Sequence, residues 1–277
     1  MADKVYTVEN LIRVMQRLRD PETGCPWDLE QDFNSIVAST LEECYELAHA
    51  IELEDYHHVA EELGDVLFQV VFYTQLGTEQ GLFDFAEVVN TLVEKLLRRH
   101  PHVFRGGEIE GVVDGELSVQ EVGRSWEAIK RIERASRSQN GTLADVPVAL
   151  PALPRAQKLQ KRAAQVKFDW VEIPQVIDKV QEELDELREA LASGSVDRTE
   201  DELGDLLFSC VNLSRHLGFD AESALRHASR KFERRFGCME ALASVEGRHL
   251  SELTAQEMNI LWDRAKLITN ESAVRQA

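Results

Sequence analysis

Leu41-Glu42-Glu43-Cys44-Tyr45-Glu46, followed by Glu61-Glu62-Leu63-Gly64-Asp65-Val66-Leu67-Phe68, sets carboxylates among apolar residues at a regular spacing. Glu43 and Glu46 are three apart, as are Glu62 and Asp65, and residues so separated share one face of a helix. The two pairs are mirror-placed about residue 54. A chain that folds back at Glu54-Asp55 into an antiparallel helix pair brings Glu43 opposite Asp65 and Glu46 opposite Glu62. Four like charges so placed repel, and a hard divalent cation with oxygen ligands is the natural way to hold them together.

Working outward, the same pattern returns 140 positions later. Glu182-Glu183-Leu184-Asp185-Glu186 precedes Glu202-Leu203-Gly204-Asp205-Leu206-Leu207-Phe208, so Glu183, Glu186, Glu202 and Asp205 repeat Glu43, Glu46, Glu62 and Asp65. The second mirror point is Gly194, inside Ala192-Ser193-Gly194-Ser195, a turn by composition. An acidic helix face is ordinarily only solvated. Here Leu63, Val66, Leu67, Phe68, Val70 and Val71 predict a helix too apolar for the surface, and the recurrence favours a metal site in each half.

The internal repeat divides 277 residues into two domains, expected over 1–135 and 155–277 with a linker at 136–154 that contains Pro147, Pro151 and Pro154. Apolar residues at 43% suffice for two cores, and 29% charged residues suit a helical, soluble protein. A net charge of −19 argues against binding a nucleic-acid polymer or a membrane surface, both polyanionic. It leaves room for a small phosphorylated ligand, because a metal or a local basic cluster inverts the sign at a site. Cys25, Cys44, Cys210 and Cys238 have no C-x-x-C spacing. Cys44 and Cys210 fall in apolar runs, where a thiol acts as a small hydrophobe. A reducing cytoplasm is the expected compartment, and no apolar run is long enough to span a bilayer.

Helical spacing predicts a first helix through Leu18, then a stiff loop at Gly24-Cys25-Pro26-Trp27-Asp28. Phe33, Val37, Leu41, Cys44, Ala48 and Ile51 form one stripe of the first acidic helix. Capping boxes are expected at Asp84–Glu87 and Ser118–Glu121, with a helix stop near His100 because Pro101 follows. Beyond the linker the order repeats: a basic helix from Arg155, Phe168-Asp169-Trp170, the acidic hairpin, a helix over about 221–235 and a last one around Trp262. No run alternates with period two, so the chain reads as all-α.

Each acidic hairpin is followed by a basic cluster: Lys95, Arg98 and Arg99, then Lys231, Arg234 and Arg235. A tryptophan follows each lysine by 31 positions (Trp126, Trp262), and Lys130 and Lys266 stand four beyond. Carboxylates bind Mg²⁺, cations bind polyphosphate and a tryptophan stacks on a base. There is no glycine-rich phosphate loop. His100 and His102 are not counted as ligands beside an all-oxygen site.

The E-E-x-x-E hairpin with its E-x-x-D partner resembles the all-α nucleoside triphosphate pyrophosphohydrolases. With Gly24-Cys25-Pro26-Trp27-Asp28, Arg98-Arg99-His100-Pro101-His102-Val103-Phe104 and Lys231-Phe-Glu-Arg-Arg235, the chain is similar to the two-repeat MazG form from about residue 5 to 268. The resemblance implies Mg²⁺-dependent hydrolysis of nucleoside triphosphates, with Mn²⁺ as a substitute, to the monophosphate and pyrophosphate by a homodimer. It implies Glu183, Glu186, Glu202 and Asp205 as metal ligands. Lys179, Glu182, Arg198, Thr199, Glu200, Asp201, Lys231, Arg234, Arg235, Trp262 and Lys266 would contact nucleotide. In the first half Glu43, Glu46, Glu62 and Asp65 match the metal positions, and Lys95, Arg98, Arg99, Trp126 and Lys130 the nucleotide positions. Glu182, and Glu42 in the first half, are the candidates to orient and deprotonate water. Lys167 departs from the family, which more often has glycine there, so the local loop geometry is open. Two alternatives stand: a pyrophosphatase specialised for one nucleotide, and a helical regulator that binds nucleotide without turnover. Residue inventory does not separate the halves; the fuller Lys-Phe-Glu-Arg-Arg cluster favours the second.

Overall fold

The computed structural model describes residues 5–111, 118–136, 141–144 and 146–274, and among them there is no strand. The chain divides into two compact units, residues 1–132 and 133–277. The first holds α1 (Val8–Leu18), α2 (Pro26–Glu30), α3 (Val37–Glu52), α4 (Tyr56–Glu79), α5 (Phe85–Arg99) and most of α6 (Val119–Ser136). The second holds α7 (Ala152–Gln165), α8 (Ile173–Ser193), α9 (Val196–His216), α10 (Ala221–Val245) and α11 (Ala255–Val274).

The acidic hairpins are the helix pairs α3–α4 and α8–α9, and each reverses at its mirror point. Glu54 has φ 57° and Gly194 has φ 71°. A left-handed residue is how a helix ends when the next must fold back along it. The cap residues follow at once: Asp55 accepts from the His58 amide at 3.3 Å and Ser195 from the Arg198 amide at 3.4 Å. Glycine suits that conformation and a side chain is strained there. Gly194→Ala should therefore lower stability by about 1 kcal/mol, and Glu54→Gly should raise it by less than that. Urea titration of each variant measures both signs.

In the first unit Met15 of α1 packs with Ile36 and with Val71, Phe72 and Leu76 of α4, all at 2% exposure or less. Arg19, at the end of α1, is buried beside this core. Its guanidinium donates to both Glu79 carboxylate oxygens (2.7–3.1 Å), to the Gln31 carbonyl at 3.1 Å and to the Asp28 carbonyl. One side chain thus ties α1, α2 and α4 together. The expected capping box of α5 is present: the Asp84 amide donates to Glu87 at 3.0 Å and the Glu87 amide to Asp84 at 2.8 Å. So is that of α6, through Ser118 and Glu121. α5 stops at Arg99, before Pro101.

In the second unit Met239 and Ala243 of α10 pack on Leu261 and Ala265 of α11. Gln157 of α7 reaches the α9–α10 corner, donating to the Phe219 carbonyl and accepting from the Ala221 amide, both at 3.2 Å. Asp169 accepts from Arg215 and from His216 (2.9 Å), which pins the Phe168-Asp169-Trp170 segment to the end of α9. Lys167 adopts φ 67°. The lysine therefore sits in the left-handed region, where glycine would be unstrained.

Several expectations need correction. Leu63, Leu67 and Val70 are 38–52% exposed, so the N-terminal part of α4 is not covered within its unit. The stripe on α3 is likewise open at Val37, Leu41, Cys44 and Ile51. Cys210 is also exposed. Each acidic hairpin packs against the rest of its unit along one side only, so apolar spacing marked two faces where the unit buries one. Pro26-Trp27-Asp28 is not a loop but the start of α2, since proline's fixed φ suits the first helical position. α7 begins at Ala152, inside the expected linker, with Pro154 tolerated in its first turn. α10 continues to Val245, ten residues past the expected end. Residues 137–140 and 145 of that linker, and residues 112–117, lie outside the described residues.

Candidate metal and nucleotide site

Glu43 and Glu46 stand one turn apart on α3, facing Glu62 of α4, and their carboxylate oxygens lie within 4.8 Å of one another. Glu183 and Glu186 of α8 and Glu202 of α9 form the same triad within the same distance. These are six of the eight predicted ligands. Asp65 and Asp205 fall on the same helices but outside the triads. Asp65 is still near enough that its charge bears on Glu43 more than any other acid does.

The donor set fits a hard divalent cation. Oxygens around one Mg²⁺ are about 2.9 Å apart when adjacent and about 4.2 Å when opposite, so three carboxylates within 4.8 Å take one by drawing together. In the first half, Oε2 of Glu62 is buried with no hydrogen-bond partner, an acceptor that a cation would satisfy. Among the described residues no lysine or arginine pairs with Glu43, Glu46 or Glu62. In the second half, Lys179 lies 2.8 Å from both Glu182 and Glu183, and Arg198 lies 3.5 Å from Glu202 and 3.8 Å from Glu189. Glu183 is buried, at 5% exposure. The corresponding positions in the first half are Ser39 and His58, and the His58 ring faces Asp55 and Glu61 instead.

Burial, then the charges of Asp65, Glu46, Glu62 and Glu42, pushes the Glu43 carboxyl above its ordinary value. Burial, then Glu183 and Glu202, does the same to Glu186. A carboxyl raised in the folded chain favours folding most when protonated, so its contribution falls as pH rises from the unfolded value of about 4.3 through the folded one. Without metal, Glu43→Gln should thus be more stable than the parent near neutral pH, by about a few tenths of a kcal/mol, with the gap closing toward pH 4. Paired denaturation curves across that range check the sign.

The basic positions are occupied differently from each other. Arg235 lies over the Trp262 ring, 5.9 Å from its centroid, and donates to Asn270 at 3.2 Å. Phe232 packs beside the same ring at 5.5 Å. Trp262 borders the Met239–Ala265 core, so part of its surface serves packing. Lys231 and Arg234 are exposed, and Lys266 pairs with Asp263 at 2.6 Å. In the first half the His100 ring meets Trp126 edge-on at 4.9 Å, while its Nδ1 donates to the Leu96 carbonyl at 2.7 Å. That is a helix-end role for His100. Lys95 and Arg99 are partly buried near the end of α5, Arg98 is exposed, and the side chain of Lys130 lies outside the described residues.

Arg198, Thr199, Glu200 and Asp201 lie in the first two turns of α9, where the Thr199 hydroxyl donates to the Ser195 carbonyl at 2.8 Å. One turn beyond Asp205, Phe208 and Ser209 line a cavity of about 300 Å³ with Phe168, Trp170 and Gln160. Sequence spacing did not point to that cavity. Nor did it separate the halves by cation, although matching positions 39 with 179 and 58 with 198 reads Ser against Lys and His against Arg.

Residues 31–104 and 173–237 each match the MazG nucleotide pyrophosphohydrolase domain. The chain is 48% identical over 261 residues to the nucleoside triphosphate pyrophosphohydrolase of Escherichia coli (strain K12), covering 94% of this chain and 97% of that one. It is 43% identical over 258 residues to the nucleoside triphosphate pyrophosphohydrolase/pyrophosphatase MazG of Thermotoga maritima, covering 93% and 95%. The twice-matched domain, the two acid triads and the identity along nearly the whole length place this chain in the MazG family, in its two-repeat form.

Proposed function

We propose that the chain hydrolyses nucleoside triphosphates, ribo- and deoxyribo- alike, to the monophosphate and pyrophosphate, and does so at the acids of α8 and α9. It is then a hydrolase acting on phosphorus anhydrides, in keeping with the names its Escherichia coli and Thermotoga maritima relatives bear. The observation that carries the reading is the Glu183–Glu186–Glu202 triad with Lys179 and Arg198 already at its edge. Among the described residues, only that half sets carboxylates for a cation and paired cations for phosphate side by side.

Glu183, Glu186, Glu202 and Asp205 would hold Mg²⁺, or Mn²⁺ in its place. When bound, the cation supplies charge neutralisation at the phosphate oxygens. Glu182, exposed and outside the triad, orients the attacking water and takes its proton. Lys179 and Arg198 attract the phosphate chain, and Lys231, Arg234 and Arg235 extend the positive field along α10. The half-buried Trp262 ring offers a stacking surface, which reads no particular base. The exposed Ile177, Leu203 and Leu207 on the acidic hairpin, with Leu41, Leu63 and Leu67 on the first, support association of two copies through these faces.

A panel of ribo- and deoxyribonucleoside triphosphates, assayed with Mg²⁺, with Mn²⁺ and with chelator, tests the reading by product. Pyrophosphate and monophosphate from every base, and nothing with chelator, are expected. Turnover of a single base would establish the specialised enzyme instead. Orthophosphate as product, or no turnover at all, overturns the proposal, and the latter would favour a regulator.

A further inference from the structure

Both acid triads set three carboxylate oxygens within 4.8 Å of one another, in opposite surroundings. In the first half the triad has no lysine or arginine on it among the described residues, and the buried Glu62 Oε2 has no partner. In the second, Lys179 sits 2.8 Å from Glu183 and Glu182, and Arg198 sits 3.5 Å from Glu202. Lys179 rises from the α8 face one turn before Glu183, so its ammonium lies against the buried carboxylate that a cation would need. Ser39 holds that position on α3 and carries no charge.

We infer that Lys179, with Arg198, is a resident counter-ion that makes the C-terminal triad take up its cation together with a nucleotide, whereas the N-terminal triad takes up a cation by itself. The inference rests on reading these acids as cation sites. A cation entering the C-terminal triad must displace an ammonium from Glu183, and Lys179 then loses its buried anion and keeps only the exposed Glu182. A triphosphate supplies one within reach, so phosphate and cation each ease the entry of the other. That coupling is reciprocal by linkage. At the N-terminal triad no lysine or arginine of the described residues has to be displaced, and the unpartnered Glu62 oxygen favours occupancy without a nucleotide. The N-terminal half is on this account a standing metal site, and only the C-terminal half is gated by substrate.

Mn²⁺ titrated alone into the full chain, read by the electron paramagnetic resonance of free Mn²⁺, tests the asymmetry without any turnover. One strong class of site per chain is expected. A second should appear, at least roughly tenfold tighter than without nucleotide, when a triphosphate with a non-hydrolysable α,β bridge is added; tenfold is the effect of about one charge interaction of this size. Lys179→Met should give the second site without nucleotide, and Ser39→Lys should weaken the first by roughly tenfold. Glu46→Gln should remove the nucleotide-independent site and leave the other. Circular dichroism of each variant establishes folding, and Ser39→Lys, at a partly exposed position, keeps the test open if Lys179→Met does not fold. Two equal sites in the parent chain, or Mn²⁺ affinities unmoved by both Lys179→Met and Ser39→Lys, overturn the inference. Pyrophosphate release in the presence of two equal sites would sink this inference and leave the proposed activity standing. Asymmetric Mn²⁺ binding without hydrolysis would do the reverse.

Discussion

Glu186→Gln is expected to lower the rate of pyrophosphate release at saturating triphosphate by at least about 100-fold, the scale of losing one preorganised electrostatic contact at a reacting phosphate. Glu186 is one of three carboxylates within 4.8 Å, and glutamine preserves its size while removing a charge the cation needs. The matched change in the other half, Glu46→Gln, should alter the same rate by less than about threefold, because that triad has Ser39 and His58 where phosphate would meet Lys179 and Arg198. Folding cannot explain such a difference. Both replacements relieve like-charge crowding, so both variants should be at least as resistant to urea as the parent. Steady-state pyrophosphate assays of the two variants, beside denaturation curves, decide it. Near-parental release from Glu186→Gln would remove α8–α9 as the active pair, and a large loss from Glu46→Gln would make the first half catalytic as well.

Arg19→Met should destabilise the first unit by about 3 kcal/mol, within the range for breaking a buried ion pair from one side. Arg19 is 8% exposed, and its guanidinium serves Glu79 twice along with two backbone carbonyls. Methionine fills much of the volume and supplies no donor. It leaves a partly buried carboxylate and two carbonyls without their partner. The same contact holds the Glu79 carboxyl below its ordinary value, the guanidinium hydrogen bonds being the chief cause. A depressed carboxyl stabilises the fold above its unfolded value and loses that contribution as pH falls through the folded one. The cost of Arg19→Met should therefore shrink in acid. Urea denaturation near neutral pH and near pH 3 measures both the size and the trend. Two units can unfold separately, so the reporter is Trp27 fluorescence in a parent and variant whose other three tryptophans are replaced by phenylalanine.

The acid positions were legible because a hairpin of helices obeys two simple rules: residues three or four apart share a face, and an antiparallel return inverts the order. Both mirror points, Glu54 and Gly194, are the left-handed residues at which the chain turns. Helix stops and caps were equally plain at Asp84, Ser118 and Pro101, since they depend on neighbours in sequence. Burial was less plain. Leu41, Leu63 and Leu67 are apolar and exposed in their unit, because composition marks every apolar face and cannot say which one the fold covers. Spacing leaves Trp262 open between core packing and a base platform; its place against Phe232 and beside the α10–α11 core depends on contacts across 30 residues of chain.

The sequence by itself determined that this is a twice-repeated, all-helical chain with two carboxylate hairpins, because spacing and local caps are properties of neighbouring residues. Only the tertiary structure decided what stands on those carboxylates: Lys179 and Arg198 on one triad, and an unpartnered Glu62 oxygen in the other. Charge pairing depends on where a side chain's tip lies, and a lysine a turn away reaches a buried acid or open water according to how its helix is packed.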